Sequence, residues 1–309
     1  MRKGKRTDLQ RRVVRGLMKL APSFPSANVQ LIQSGQSEVV AETRRAYADE
    51  GEIGAGSFRG YFGMSVDEHI TGKSVLDLGS GSGGRAAYWK RELAAARVVG
   101  VDIFPQEVIG AHRAVSDMGI HVSFVVGFGE LLPFADGVFD TILSMDVLEH
   151  TRYPEKVLGE CHRVLAHGGV SLMVFPPFYH PTGHHLSFVT KFPWLQFFDA
   201  NAVTLAFNDI ADSRGERAQW YRRGPLMPYE RLGWLNGLTI RQFCKLVRLQ
   251  SWQIEYWDYL PLLRYGWVVK KRPYLRLLSW PLGLLTRLPY AREVFTHRVV
   301  CVLRKPIKM

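Results

Sequence analysis

Between residues 74 and 177 short apolar runs alternate with stretches whose apolar positions recur every three or four residues. "SVLDLG" (74–79), "ARVVGVD" (96–102), "HVSFVVG" (121–127), "FDTILSMD" (139–146) and "GVSLMVFPP" (169–177) read as strands. Helices are predicted from the Gly-rich turn to about residue 95, over 105–119 and over 154–166. Near-continuous apolar strands separated by helices mean a parallel sheet covered on both faces. Upstream, 7–19 forms a basic helix with Val13, Val14, Leu17 and Leu20 near one face, 21–28 is a linker, and helices cover 37–50 and 65–71. The alternation stops after Pro177. About 60 residues follow with helices and aromatics but no clear strand. A helix over 238–250, N-capped by Thr239, then precedes strands at 252–260 and 295–306.

Composition narrows the classes. The chain has 309 residues, 47% of them hydrophobic, enough for one elaborated domain. Cys161, Cys244 and Cys301 lie far apart, which argues against a disulfide framework or a metal knuckle and suits a reducing cytosol. The basic start lacks the apolar region of a signal peptide, and no apolar run is long enough to span a bilayer. Charge is uneven. Residues 1–24 hold 8 basic and 1 acidic side chains, 25–213 hold 13 and 22, and 214–309 hold 19 and 5, for nets of +7, −9 and +14. Basic ends of this kind suit an anionic partner, with a solvated basic surface as the plainer reading.

"DLGSGSGG" (77–84) follows the first strand. Gly79, Gly81 and Gly84 match the dinucleotide pattern G-x-G-x-x-G, while Asp77, Gly79, Gly81 and Gly83 match D-x-G-x-G-x-G, a pattern of S-adenosylmethionine binding. Either way, Asp102 ends the second strand where a carboxylate can hold ribose hydroxyls. The order and spacing of "VLDLGSGSGG", "VVGVD", "ELLPFADGVFDTILSMDVLEH" (130–150) and "ECHRVLAHGG" (160–169) resemble the class I S-adenosylmethionine-dependent methyltransferases, in the small-molecule group of ubiquinone and menaquinone methylating enzymes. The resemblance is strong over 60–177 and weaker over 238–260 and 295–306.

The resemblance implies a Rossmann-like, doubly wound, mostly parallel seven-stranded α/β sheet with an antiparallel last strand and helical insertions. It implies S-adenosylmethionine as cofactor. Asp77, Gly79, Ser80, Gly81 and Gly83 would face its methionine part, and Asp102 its ribose. Ile103 and Phe104 would line the adenine, Gly129 and Glu130 would border the adenine edge, and Met145 and Asp146 would sit near the methionine group. An acidic residue often found two before Glu130 is replaced by Phe128. His150 is expected to cap or pack a helix. The domain reading is an N-terminal helical segment (1–60), the cofactor-binding core (61–177), an insertion capping the acceptor site (178–237), and the remaining sheet with a basic, aromatic insertion at 261–294 inside 238–309.

"FPPFYHPTGHHLSF" (175–188) carries three histidines where the fifth strand ends. Loops at the carboxyl ends of such strands hold the reacting groups, and imidazole titrates near neutrality. His184, His180 and His185, with Tyr179 as a neighbouring donor, are therefore the candidate bases or orienting groups. No metal is expected, because Pro181 and Gly183 break the helical register between His180 and His184. The aromatic stripe Phe188, Phe192, Trp194, Leu195, Phe197 and Phe198 suggests an apolar wall for a bulky or lipidic acceptor. Within 261–294, Arg264, Lys270, Lys271, Arg272, Arg276, Arg287 and Arg292 among Leu, Trp and Tyr suit either a packed basic subdomain or an element lying on an anionic membrane. The expectation is a cytoplasmic methyltransferase, possible at the inner membrane surface, acting on oxygen of a small or lipidic acceptor. Nucleic acid is an unlikely partner: "SMDVLEH" replaces the N/D-P-P-Y/F pattern of base-methylating enzymes. The other class considered is a non-catalytic nucleotide-binding regulator docked on a membrane or protein.

Overall fold

The structure, a computed structural model, describes residues 2–22, 36–51, 57–186, 189–213, 235–264, 269 and 272–307. The linker at 21–28, Phe188, Lys270, Lys271 and the later part of the 178–237 insertion fall mostly or wholly outside these residues.

Seven strands form one sheet: β1 (Ser74–Leu78), β2 (Arg97–Asp102), β3 (Ser123–Val126), β4 (Phe139–Met145), β5 (Leu165–Phe175), β6 (Gln253–Pro261) and β7 (Thr296–Arg304). Their order is β3-β2-β1-β4-β5-β7-β6, parallel from β3 to β5, with β7 antiparallel to both neighbours. The chain moves outward from β1 to β3 on one side and from β4 to β5 on the other. The crevice between these directions opens at the carboxyl ends of β1 and β4. Phe175 pairs with Val299 and Pro261 with Thr296, so β5 ends, β6 ends and β7 begins at this same edge.

The helices are α1 (Arg2–Leu20), α2 (Gln36–Gly51), α3 (Phe58–Phe62), α4 (Gly84–Arg91), α5 (Pro105–Asp117), α6 (Pro154–Val164), α7 (Ala200–Ser213), α8 (Ile240–Leu249), α9 (Ser279–Leu285) and α10 (Pro289–Phe295). Alternation along β1 sends Val75 to one core with Phe58 and Trp89, and Leu76 and Leu78 to the other with Val157, Leu158 and Phe243. Thr239 caps α8 in a reciprocal box with Gln242, as its position in the sequence predicts. α4 stops at Arg91, short of the alanine run that reads as helix. Ala94 turns left-handed (φ 51°), the Ala95 amide reaches back to the Trp89 carbonyl at 3.1 Å, and Lys90 Nζ covers the Ala95 and Ala96 carbonyls.

The first 60 residues divide between two places. α2 packs on α4 and α5. α1 instead packs on α7, and its Val14 and Met18 share a third core with Leu186, Val189, Leu195, Val203 and Phe207. Arg11 holds Asp209 through two hydrogen bonds of 2.5 and 2.8 Å, and the Thr190 hydroxyl donates to the Met18 and Ala21 carbonyls. The N-terminal helix and the start of the insertion thus form one layer.

Candidate active site

Gly79, directly after β1, has φ 76°, and a Cβ there would lie 2.3 Å from Val147 Cγ2. Only glycine fits both the angle and the approach. Its amide and that of Ser80 donate to the Val101 carbonyl, which folds the loop across the top of β2. Gly81 is also left-handed (φ 48°), but a Cβ at Gly81 would meet nothing within 4 Å, so the loop curves around open space. The Gly81 amide donates to Asp102 Oδ2 at 2.9 Å and the Phe104 amide to Oδ1 at 3.0 Å. The Asp102 carboxylate is thereby aimed, and each oxygen keeps capacity for another donor. The Gly83 amide closes the turn on Ser80, and α4 begins with its N-terminus toward the loop.

Beneath this cradle lies Asp77. It is fully buried, and neither carboxylate oxygen meets a hydrogen-bond donor. Burial pushes its pKa up to about 6, Arg85 opposes the shift, and Asp102 adds to it. A buried carboxylate without donors is costly unless something positive completes it. The ammonium of an amino-acid ligand supplies that partner, so Asp77, the cradle at Gly81 and the aimed Asp102 fit S-adenosylmethionine.

On the adenine side, Ile103 and Phe104 are half-buried and Gly129 is buried against Val157. One oxygen of Glu130 is engaged locally. Its Oε1 takes the amides of Arg152 and Tyr153 at 2.9 and 3.3 Å, tying the loop after β3 to the approach of α6. Phe128 is exposed. Met145 ends β4 buried, and Asp146 follows in a left-handed conformation (φ 57°), paired with Arg298 of β7 at 3.4 Å.

The three histidines separate. His184 is tied into its loop: Nδ1 accepts from the Leu186 amide at 3.0 Å and Nε2 donates to the Phe192 carbonyl at 3.1 Å. Both nitrogens are occupied in holding the loop, and burial lowers its pKa to about 4. His180 accepts the Thr182 amide at Nδ1, so Nε2 carries the proton and donates to His297 Nδ1 at 2.9 Å. Burial and the partner imidazole hold His180 well below its ordinary value, and burial beside Arg298 takes His297 to about 3. The pair is neutral at physiological pH. His185 turns elsewhere. Left-handed (φ 51°), it sets its ring edge-on to His150 with centroids 4.9 Å apart. Tyr179 stacks on Phe197 at 5.3 Å.

Sequence reasoning missed His297 and Arg298, which lie more than 110 residues beyond His180 and reach it because β7 starts beside the end of β5. It also gave no role to Glu149. That side chain is buried, no donor meets either oxygen, and burial and then Asp146 push its pKa well up. The signal was the motif "LEH" itself, at the carboxyl end of β4.

The sheet order, the glycine cradle and the aimed acid after β2 define a Rossmann-like fold with a nucleotide-type site. Residues 76–173 match a family described as "Methyltransferase domain". Over 106 residues the chain is 38% identical to a demethylmenaquinone methyltransferase of Thermus thermophilus, covering 34% of this chain and 48% of that protein. Over 98 residues it is 35% identical to norajmaline N-methyltransferase of Rauvolfia serpentina, covering 31% and 33%. The chain therefore spans about half or less of the length of these curated relatives. A solved geranyl diphosphate methyltransferase, in complex with geranyl diphosphate and sinefungin, superposes with TM-score 0.50 at 14% identity, covering 80% of this chain and 77% of that one, a likeness of fold. Residues 76–173 thus match a methyltransferase domain on a Rossmann-like fold.

Proposed function

We propose that the chain transfers a methyl group from S-adenosylmethionine to an oxygen of a small or lipidic acceptor. The observation that carries this reading is Asp77, buried without a donor under a cradle open at Gly81. When bound, the cofactor supplies a methyl group already activated on a sulfonium. The chain's task is to hold and orient. Asp77 accepts the ammonium and Asp102 the ribose hydroxyls. Arg298 fixes Asp146 beside the methionine end. His185 and Tyr179 are the side chains we assign to the acceptor, and the His180–His297 pair braces the start of β7 against the loop after β5. The test is conversion to S-adenosylhomocysteine with metabolite and lipid extracts, read as the mass gain of one methyl on an acceptor. Tight cofactor binding with no turnover on any extract would instead favour the regulator reading.

A second feature favours a lipidic acceptor. The connection from β6 to β7 leaves and re-enters the sheet at the same edge as the donor site. It exposes Tyr274 (64%), Leu277 (79%), Trp280 (75%) and Tyr290 (86%) to solvent. Beside Trp280 lies a cavity of about 600 Å³, lined also by Arg264, Arg276, Arg287 and Arg292, with Asp258 as an acidic member. Pro273 and Pro289 begin the short helices that present this surface. Among the described residues no helix is long and apolar enough to cross a membrane. We assign this face to an anionic bilayer surface, with arginines toward phosphates and aromatics at the headgroup level. The full chain should co-sediment with phosphatidylglycerol vesicles and not with phosphatidylcholine ones. The double substitution Arg276→Ala, Arg287→Ala should weaken that binding about thirtyfold, from roughly 1 kcal/mol per arginine. Equal sedimentation with both vesicle types would reject the assignment.

A further inference from the structure

We propose that Glu149, His150 and His185 form a divalent-cation site whose open coordination positions receive the acceptor oxygen. One ligand atom from each of these residues lies within 4.8 Å of the others. The first two belong to the 3-10 turn after β4, and the third to the loop after β5, so two adjacent strands of the sheet bring the ligands together. That is the converging frame which the stretch around His180 and His184 does not offer by itself.

Three further observations point to a ligand here. Glu149 is 3% exposed and no donor reaches either of its oxygens. A group so placed needs a positive partner, and His150 Nε2, at 3.8 Å from Oε1, is outside hydrogen-bond range. His185 holds a left-handed backbone that non-glycine residues seldom adopt, with its imidazole edge-on to His150 and a ring nitrogen within 4.8 Å of a Glu149 oxygen. The turn carrying Glu149 and His150 is itself fixed. Asn236 Nδ2 donates to the Leu148 and Thr151 carbonyls at 2.6 and 2.8 Å, and the Asn236 amide donates to the Glu149 carbonyl. Asp146 is engaged by Arg298 and is not counted among the ligands.

Two imidazoles and one carboxylate select borderline cations such as Zn2+, Mn2+ or Fe2+ and leave positions open. Ligands about 2.1 Å from a tetrahedral cation lie roughly 3.4 Å apart, so atoms within 4.8 Å of one another must draw in by up to about 1.4 Å, within reach of side-chain rotation. The site also answers a question left by the histidines, since His184 has no free nitrogen and the His180–His297 pair is weakly basic. A cation-bound hydroxyl loses its proton at lower pH than a free one. The acceptor O–H bond breaks with its proton passing to water. The O–CH3 bond then forms as the sulfonium C–S bond breaks, its electron pair returning to sulfur.

The cation site rests on geometry alone, and only its link to the acceptor rests on the proposed function, so the test reads metal binding rather than turnover. The full chain, stripped with a chelator, is titrated with Mn2+ followed by electron paramagnetic resonance and with Zn2+ followed by calorimetry. S-adenosylmethionine affinity is measured in parallel as a check on folding. About one equivalent of cation should bind, and Glu149→Gln and His185→Ala should each weaken it by about 100-fold with cofactor affinity unchanged. His185→Ala, at a half-buried turn, serves where the buried Glu149→Gln fails to fold. Failure of the wild type to bind either cation, or equal binding by the folded variants, would overturn the site.

Discussion

Replacing Asp77 with asparagine should lower affinity for S-adenosylmethionine by about 100-fold, the cost of removing one partner from a buried charge pair. Size and shape are nearly conserved, so the loss isolates charge. A second signature separates this from a general disturbance of the loop. In the free protein the Asp77 carboxyl titrates near pH 6, raised by burial. The ammonium of the cofactor needs the carboxylate form. Between pH 6 and about 7 the carboxylate is present and the ligand's α-amino group is still an ammonium, so affinity is flat with pH. Below pH 6 binding must displace a proton, and affinity falls by about tenfold per pH unit. The Asp77→Asn variant has no such proton and loses this dependence. It should also be more stable than the wild type at pH 8, because it no longer buries an unpartnered charge. Calorimetric titration from pH 5 to 8 gives the affinities, and thermal melts give the stabilities. A wild-type affinity that is level from pH 5 to 8 would remove Asp77 from the ammonium role.

What the sequence discloses depends on how far apart the interacting residues lie. β1, β2 and β4 are continuous apolar runs ending in Gly or Asp, as parallel strands covered on both faces require, and their boundaries move by a residue at most. β5 starts at Leu165, earlier than its pattern suggests. The pattern carries the helix to Ala166 and starts the strand at Gly169, whereas Leu165 already pairs with Phe139 across an irregularity in the ladder. The cradle is legible because Gly79 and Gly81 answer to local backbone demands. The histidines are less so: His180 and His185 take their partners from far along the chain, and His184 takes a carbonyl in its own loop. Three residues within six positions are sent to three different jobs: His184 to the Phe192 carbonyl, His180 to His297 on β7, and His185 to the turn after β4. The pairing of α1 with α7 is equally hidden. Val14 and Met18 look like one face of a basic helix, and nothing local says that the face belongs to residues 186–210.

Glu50 shows such a distant partnership working on stability. It ends α2, accepts the Trp89 Nε1 proton at 3.2 Å and the Phe58 amide at 3.1 Å, and so joins α2 and α3 to the helix that follows the glycine cradle. Burial raises its pKa from 4.5 to about 7, against the opposing charge of Arg85. A carboxyl whose folded pKa is raised gives its full stability below the unfolded pKa and loses it as pH climbs through the folded one. For Glu50 that window runs from about 4.5 to about 7. Across it the wild type should lose about 2–3 kcal/mol through this group. Glu50→Gln keeps an acceptor and has no proton to lose. The difference in melting temperature, variant minus wild type, should therefore rise by roughly 5 °C between pH 5 and pH 8, whatever its sign at pH 5. Melts of the two proteins side by side cancel the other titrating groups. A difference that stays constant over that range would mean that Glu50 is charged throughout, with Arg85 offsetting its burial in full.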